Sequence, residues 1–154
     1  MIKRQKKLSQ VLEDYLEAIY ILTIIKKQPV ARVTDIAEFL KVNKSNVSNN
    51  MKLLAKQEYI NYDIYHWITL TKKGEKTAKS VYAKHNALIN FFNKVLGINK
   101  NVSEENACRI EHFADDILIK RMCKLSTFLE KNKVLKFDKK TKNFKFLSEL
   151  NQEN

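Results

Sequence analysis

One short stretch, "ACRIEHFADD" over residues 107–116, carries a thiol, a carboxylate and an imidazole in Cys108, Glu111 and His112. Their i, i+3, i+4 spacing brings all three onto one face of an α-helix. Near the N-terminus, Asp14 and Glu17 stand three apart and share a face of a second predicted helix. His85 lies on the inward Val81–Leu88 side of a third. Thiolates, carboxylates and imidazoles are ligands for first-row divalent cations, and six of them on three helices is the layout of a metal site built into a helical bundle. Each alone has a bland reading: a solvated acidic pair, a cysteine filling a core, a surface Glu-His pair. Together they weigh more, because Glu111 and His112 adjoin Ile110 and Phe113 in an otherwise inward-facing stretch. A buried charge needs a partner, and a divalent cation is the natural one.

The elements that must position these groups are mostly helices, since the chain holds only two Gly and one Pro in 154 residues. Residues 9–26 have a helical apolar period with Ser9 as N-cap, ended by Pro29. "TDIAEFLKV" reads as a short helix capped by Thr34, followed by a tight turn at Val42–Asn43. "NKSNVSNNMKLLAKQEYI" makes a third helix with Val47, Met51, Leu53 and Leu54 inward. Helix, short turn, helix is the helix-turn-helix arrangement. "YINYDIYHWITLT" reads as a hairpin, with Trp67 packed on it and His66 in its exposed loop. Thr71 caps a helix over 72–96 that Gly97 ends, and Ser103 opens one more running to about Leu129. From Lys131 the chain reads as a lysine-rich tail with one weakly apolar stretch, "FKFLSEL". The expected fold is mainly α: a winged helix-turn-helix with a small β-hairpin wing at 1–74, a helical dimerisation domain at 75–130 and the tail at 131–154.

The net charge of +12 favours polyanionic partners, nucleic acid first and an anionic membrane surface second. It does not locate a binding face. Residues 1–74 hold 13 basic against 7 acidic side chains, and residues 75–154 hold 16 against 10. The third helix does locate one: Lys44, Ser45, Asn46, Ser48, Asn49, Asn50 and Lys52 form a polar face of short donor–acceptor groups suited to base edges and phosphates. Thr34 and Asn43, at the starts of the two helices, are expected to join them as DNA contacts. The "KRQKK" run at residues 3–7 is read as a solvated terminus, with an arm lying on phosphates as the alternative. No stretch approaches the ~20 apolar residues a membrane span needs, and Glu13, Asp14 and Glu17 interrupt any signal-peptide core, so a cytoplasmic protein is expected. On one continuous helix Cys108 and Cys123 would stand ~22 Å apart, too far for a disulfide.

On "LEDYLEAIYIL", "VTDIAEFLKVNKSNVSNNMKLLAKQEYI", "ITLTKKG", the histidine of "VYAKHNAL" and "ACRIEHFADD", the chain resembles the metal-dependent repressors of the DtxR/MntR type over residues 9 to about 129. The resemblance implies that Asp14, Glu17, His85, Cys108, Glu111 and His112 ligate one or two regulatory ions. It also implies a hybrid site. Manganese-sensing members carry the Asp and Glu of the first helix, as here, but usually a Glu where Cys108 stands. Iron-sensing members carry that Cys but normally a Met at the position of Asp14. Their ancillary site falls here on Glu104 and Ile89 and looks lost, and an SH3-like domain is not expected. The donor set favours Fe²⁺ or Mn²⁺, with Fe²⁺ slightly ahead because of the Cys108 thiol; binding by Cys108 through sulfur or only through its carbonyl both stay open.

The expected molecule is a homodimeric repressor of metal homeostasis, not an enzyme, that binds palindromic double-stranded DNA when Fe²⁺ or Mn²⁺ bridges its two domains. Two alternatives accompany it. One is a winged-helix regulator whose operator binding is independent of metal. The other, a di-metal bundle enzyme, lacks the paired Glu-x-x-His motifs and any evident nucleophile or base.

Overall fold

The computed structural model describes residues 8–63, 65, 67–138 and 140–146. The basic run at 3–7, His66 and the end of "FKFLSEL" lie outside the described residues. The chain divides into two compact units, Met1–Tyr82 and Ala83–Asn154.

In the first unit, α1 (Gln10–Tyr20) buries Leu12, Tyr15, Leu16 and Ile19, and continues into a π-helical turn over Ile21–Ile25. Next come β1 (Ala31–Arg32), α2 (Val33–Leu40), α3 (Lys44–Lys56), β2 (Ile60–Tyr62) and β3 (Trp67–Leu70). The helix-turn-helix and its hairpin stand as expected, with two local corrections. Arg32, not Thr34, is the N-cap of α2; the Asp35 carboxylate accepts the Arg32 backbone N–H at 3.1 Å. Leu53 is exposed, because the inward line of α3 is Val47, Met51 and Leu54 at i, i+4, i+7 and Leu53 stands one position off it.

The sheet has three antiparallel strands in the order β1-β3-β2, in register Ala31↔Ile68 and Ile60↔Leu70. Two-residue β1 carries no periodicity of its own, so the sequence showed only a helix-ending loop there. The core comprises Leu16, Ile19, Ile36, Val47, Met51, Leu54 and Ile68, all fully buried.

Thr71 caps α4 (Lys72–Asn90), its Oγ1 accepting the Gly74 N–H at 3.1 Å while its hydroxyl donates to the Glu58 carbonyl at 2.8 Å. A Cβ at Gly74 would lie 1.8 Å from the Tyr59 carbonyl oxygen, so the helix start packs directly on backbone and only glycine fits.

In the second unit, the end of α4 runs into another π-helical turn, Phe91–Val95, and then Gly97 at φ 67°. The single helix expected from Ser103 to Leu129 is two. The first, α5 (Lys100–Ile110), starts earlier, with Asn99 as N-cap; Ser103 is buried inside it. The second, α6 (Asp116–Asn132), is capped anew by Asp115, whose carboxylate accepts the Leu118 N–H at 2.8 Å. The Asp-Asp pair in the quoted motif is therefore a helix start. Lys84 braces this junction, reaching Asp116 at 2.8 Å and the Ala114 carbonyl at 3.3 Å.

Leu88, Ala107, Ala114 and Ile119 form the buried core of this unit. Within the segment read as a polar tail, β4 (Leu135–Asp138) and β5 (Asn143–Phe146) form an antiparallel hairpin. Phe137 opposes Phe144 in its ladder and packs on Gly97. Alternating apolar positions in a lysine-dense run carry this strand signal. Among the described residues no helix is long and apolar enough to cross a membrane.

Candidate metal centre

Glu111 is the last-turn residue that decides this site. Its backbone N–H still bonds to the Ala107 carbonyl at 2.9 Å, so α5 holds it in helical geometry at the point where the helix ends. Its side chain is buried, at 2% exposure, and His112 beside it is 8% exposed. One carboxylate oxygen, Oε2, lies 2.5 Å from Nδ1 of His85 on α4. The other, Oε1, lies 3.3 Å from Nε2 of His112. A buried carboxylate of the second unit is thus flanked by two imidazoles. Removing a carboxylate from water is expensive unless cationic or hydrogen-bonding groups compensate it; His85 hydrogen-bonds Oε2, while the buried Oε1 has no hydrogen-bond partner and is open to a cation.

One oxygen donor and two imidazole nitrogens form a borderline set that suits Mn²⁺, Fe²⁺, Co²⁺ or Zn²⁺. The residues present therefore fit a divalent cation. Cys108 is exposed on α5, one turn before Glu111, and neither it nor Cys123 is in a disulfide. Asp14 and Glu17 belong to the first unit, half-buried on α1 on either side of buried Tyr15 and Leu16. Glu104 pairs with Lys100 at 3.7 Å along α5.

The expected reading face divides in two. Lys44, Ser45, Asn46, Asn49 and Lys52 are exposed along α3, and Ser48 is half-buried. Asn43 and Asn50 turn their side chains to the helix itself. Asn43 Oδ1 accepts the Asn46 N–H at 2.8 Å, and Asn50 Nδ2 donates to the Asn46 carbonyl at 2.8 Å. The Thr34 hydroxyl donates to Asp35 at 3.2 Å.

A cleft of about 430 Å³ opens between the start of α2, α3 and the hairpin loop, lined by Arg32, Val33, Thr34, Lys44, Ser48 and Tyr65. Sequence reasoning missed Arg32 and Tyr65. The only signal for them is position, next to the turn and at the hairpin tip. Asp63 shapes that tip, its Oδ1 accepting the N–H groups of Tyr65 and Trp67 at 2.9 Å each. Trp67 is half-exposed, with its ring against Tyr65 at 5.8 Å.

Residues 7–67 match the N-terminal DNA binding domain of the iron dependent repressors, and residues 71–134 match their metal binding and dimerisation domain. The chain is 37% identical over 126 residues to an uncharacterized HTH-type transcriptional regulator of Methanocaldococcus jannaschii, covering 82% of this chain and 98% of that one. It is 35% identical over 130 residues to the HTH-type transcriptional regulator MntR of Bacillus subtilis, covering 84% and 89%. Among solved structures it resembles the manganese regulator SloR, with a TM-score of 0.65 at 31% identity over 80% of this chain. It spans about half the length of that relative, 55% of the SloR chain. Two matched domains, in this order and over most of the chain, carry the assignment: the protein belongs to the iron dependent repressor family of DNA-binding transcriptional regulators.

Proposed function

We propose that the chain is a homodimeric, metal-activated repressor whose operator affinity is set by Fe²⁺ or Mn²⁺ held by Asp14, Glu17, His85, Cys108, Glu111 and His112. The observation that carries this reading is the buried Glu111 carboxylate between His85 and His112, inside the part of the chain matched by the family's metal-binding domain. When bound, one or two ions supply the positive charge that lets carboxylates from both units share a site. Glu111 and His112 bring hard and borderline donors from the end of α5, His85 brings one from α4, and Cys108 adds the soft donor that inclines the set toward Fe²⁺. Asp14 and Glu17 join from α1. Holding both units to the same ion fixes the orientation of α3 in each copy, and so the spacing between the two reading helices.

Lys44, Ser45, Asn46, Ser48, Asn49 and Lys52 then face a palindromic operator in the cytoplasm, with Arg32 and Tyr65 flanking them. DNA binding must tighten metal binding by the same factor as metal tightens DNA binding. The test is an operator titration with Mn²⁺, anaerobic Fe²⁺, Zn²⁺ and Co²⁺ on wild type and on Cys108→Glu. The Glu variant is expected to shift preference toward Mn²⁺. An unchanged ranking removes the thiol from selectivity, and operator binding that ignores metal altogether overturns the reading.

A further inference from the structure

Divided into halves the chain carries its charge evenly, yet one short segment holds half of the excess. Residues 83–130 contain seven basic and six acidic side chains. Residues 131–146 contain seven lysines and a single acid, Asp138, a net +6 of the chain's +12. Elsewhere in this unit cations are matched: Lys84 with Asp116, Lys94 with Glu130 and Arg109 with Glu105. The lysine-dense segment is folded, as the β4–β5 hairpin, and it follows directly on residue 134, where the match to the family's metal binding and dimerisation domain ends. Cross-strand partners share a face, so Leu135 with Phe146 and Phe137 with Phe144 line one side, and Phe137 seats that side on Gly97. The acid is occupied inside the turn. Asp138 accepts the Lys140 N–H at 2.8 Å and the Thr141 hydroxyl at 2.9 Å, and pairs with Lys145 Nζ at 3.4 Å. What the tip presents outward is cationic: Lys140 and Lys142 are exposed, Lys142 on left-handed backbone at φ 56°.

A merely solvated surface needs no such excess, because like charges this close repel one another and oppose the folded state. An anion meeting them removes that repulsion. Order matters as well. A disordered basic tail must be immobilised when it binds, whereas a hairpin tied by Asp138 offers its charges already placed. The tip sequence "DKKTKN" over 138–143 holds no apolar residue to insert into a membrane, while phosphates take lysines as point charges. The chain belongs to a family of DNA-binding regulators, and DNA is the polyanion such a protein meets. We propose that the β4–β5 hairpin is a second, sequence-independent DNA contact, with Lys140 and Lys142 on phosphates of the duplex. Phosphate contacts fix position without reading sequence, so the hairpin adds grip while α3 keeps the specificity.

The test is the salt dependence of duplex binding by the full chain in saturating Mn²⁺. It uses an operator fragment selected on the wild type and a random-sequence duplex of equal length. Each lysine on a phosphate adds about 0.9 to the steepness of log affinity against log salt. Lys140→Gln with Lys142→Gln is expected to lower that steepness by about 1.8 on both duplexes. The wild type's lead in affinity should then shrink about tenfold between roughly 50 and 200 mM salt. Lys140→Arg with Lys142→Arg keeps both charges and should keep the wild-type steepness. Lys100→Gln removes a charge from α5 of the same unit and should keep it too. Should the double Gln variant fail to fold, Lys140→Gln alone, expected to lower the steepness by about 0.9, decides. Wild-type steepness in a folded Gln variant, a loss on the operator alone, or an equal loss per charge in Lys100→Gln overturns the hairpin contact. So does a Gln variant that loses affinity for vesicles of anionic phospholipid while its DNA binding is unchanged. The contact does not rest on the metal reading: operator binding that ignores metal would overturn that reading and leave these salt slopes to decide the hairpin.

Discussion

Glu111 concentrates the chemistry of the second unit in one side chain. Replacing it with Gln keeps the volume and removes the charge that, on the proposed reading, would hold a cation between His85 and His112. We expect Glu111→Gln to weaken Mn²⁺ binding by at least tenfold in a calorimetric titration, since lesser changes around metal sites already cost 10–100-fold. In chelator the variant should melt lower than wild type, because removing the charge of one member of a buried pair leaves the His85 contact weakened. The six ligand types could be read from the letters, because carboxylate, thiol and imidazole are metal-binding wherever the chain folds. The roles of Asn43 and Asn50 could not. An asparagine at a helix surface bonds to a base or to backbone according to what packs beside it, and here Asn43 and Asn50 bond to the backbone of their own helix.

Gly97 ends α4 at φ 67°, and a Cβ there would meet the Phe137 ring at 2.2 Å. Gly97→Ala should therefore displace the β4–β5 hairpin and destabilise the protein by about 2 kcal/mol, through combined backbone strain and overpacking. Chemical denaturation measures this. Asp138 tightens the hairpin turn. Its carboxylate is held down to about 2, first by the Lys140 backbone N–H and then by the Thr141 hydroxyl. Because the folded value lies below the ordinary value of 3.8, the contribution is complete above that value and is lost as pH falls toward about 2. The Lys140 amide resonance should hold its position from pH 7 to 5 and move between pH 4 and 2.

At this scale the sequence is uneven as a guide. Helices α1 to α4 show their apolar periods plainly, although the cap of α2 falls on Arg32 rather than on Thr34. The break after Ile110 is hidden because helical spacing continues through it, and only the Asp115 cap betrays it. Strand β1 needs β3 to exist at all, and no local pattern encodes that pairing.

For the molecule as a whole, the pairing of two copies should use apolar side chains left exposed on a single one: Phe113 at 78% exposure, with Ile117 and Leu118 at the start of α6. Ile117→Glu with Leu118→Glu should shift sedimentation toward monomer and lower operator affinity, since each half-site alone binds weakly. Operator affinity should also fall steeply with salt, by a factor on the order of 10³ between 50 and 200 mM if about six phosphates are neutralised.

The Lys84 brace has a further consequence. It pins the turn that follows His112 from one residue before His85. The end of α5 is thereby tied to α4 by protein contacts as well as by any ion held there, so we expect loading to order little of the chain. Stripping the ion with a chelator should leave the far-ultraviolet circular dichroism unchanged, unlike a zinc finger, which unravels. The cell would then keep a standing reserve of ready receptors, answering a rise in free metal at the pace of ligand exchange.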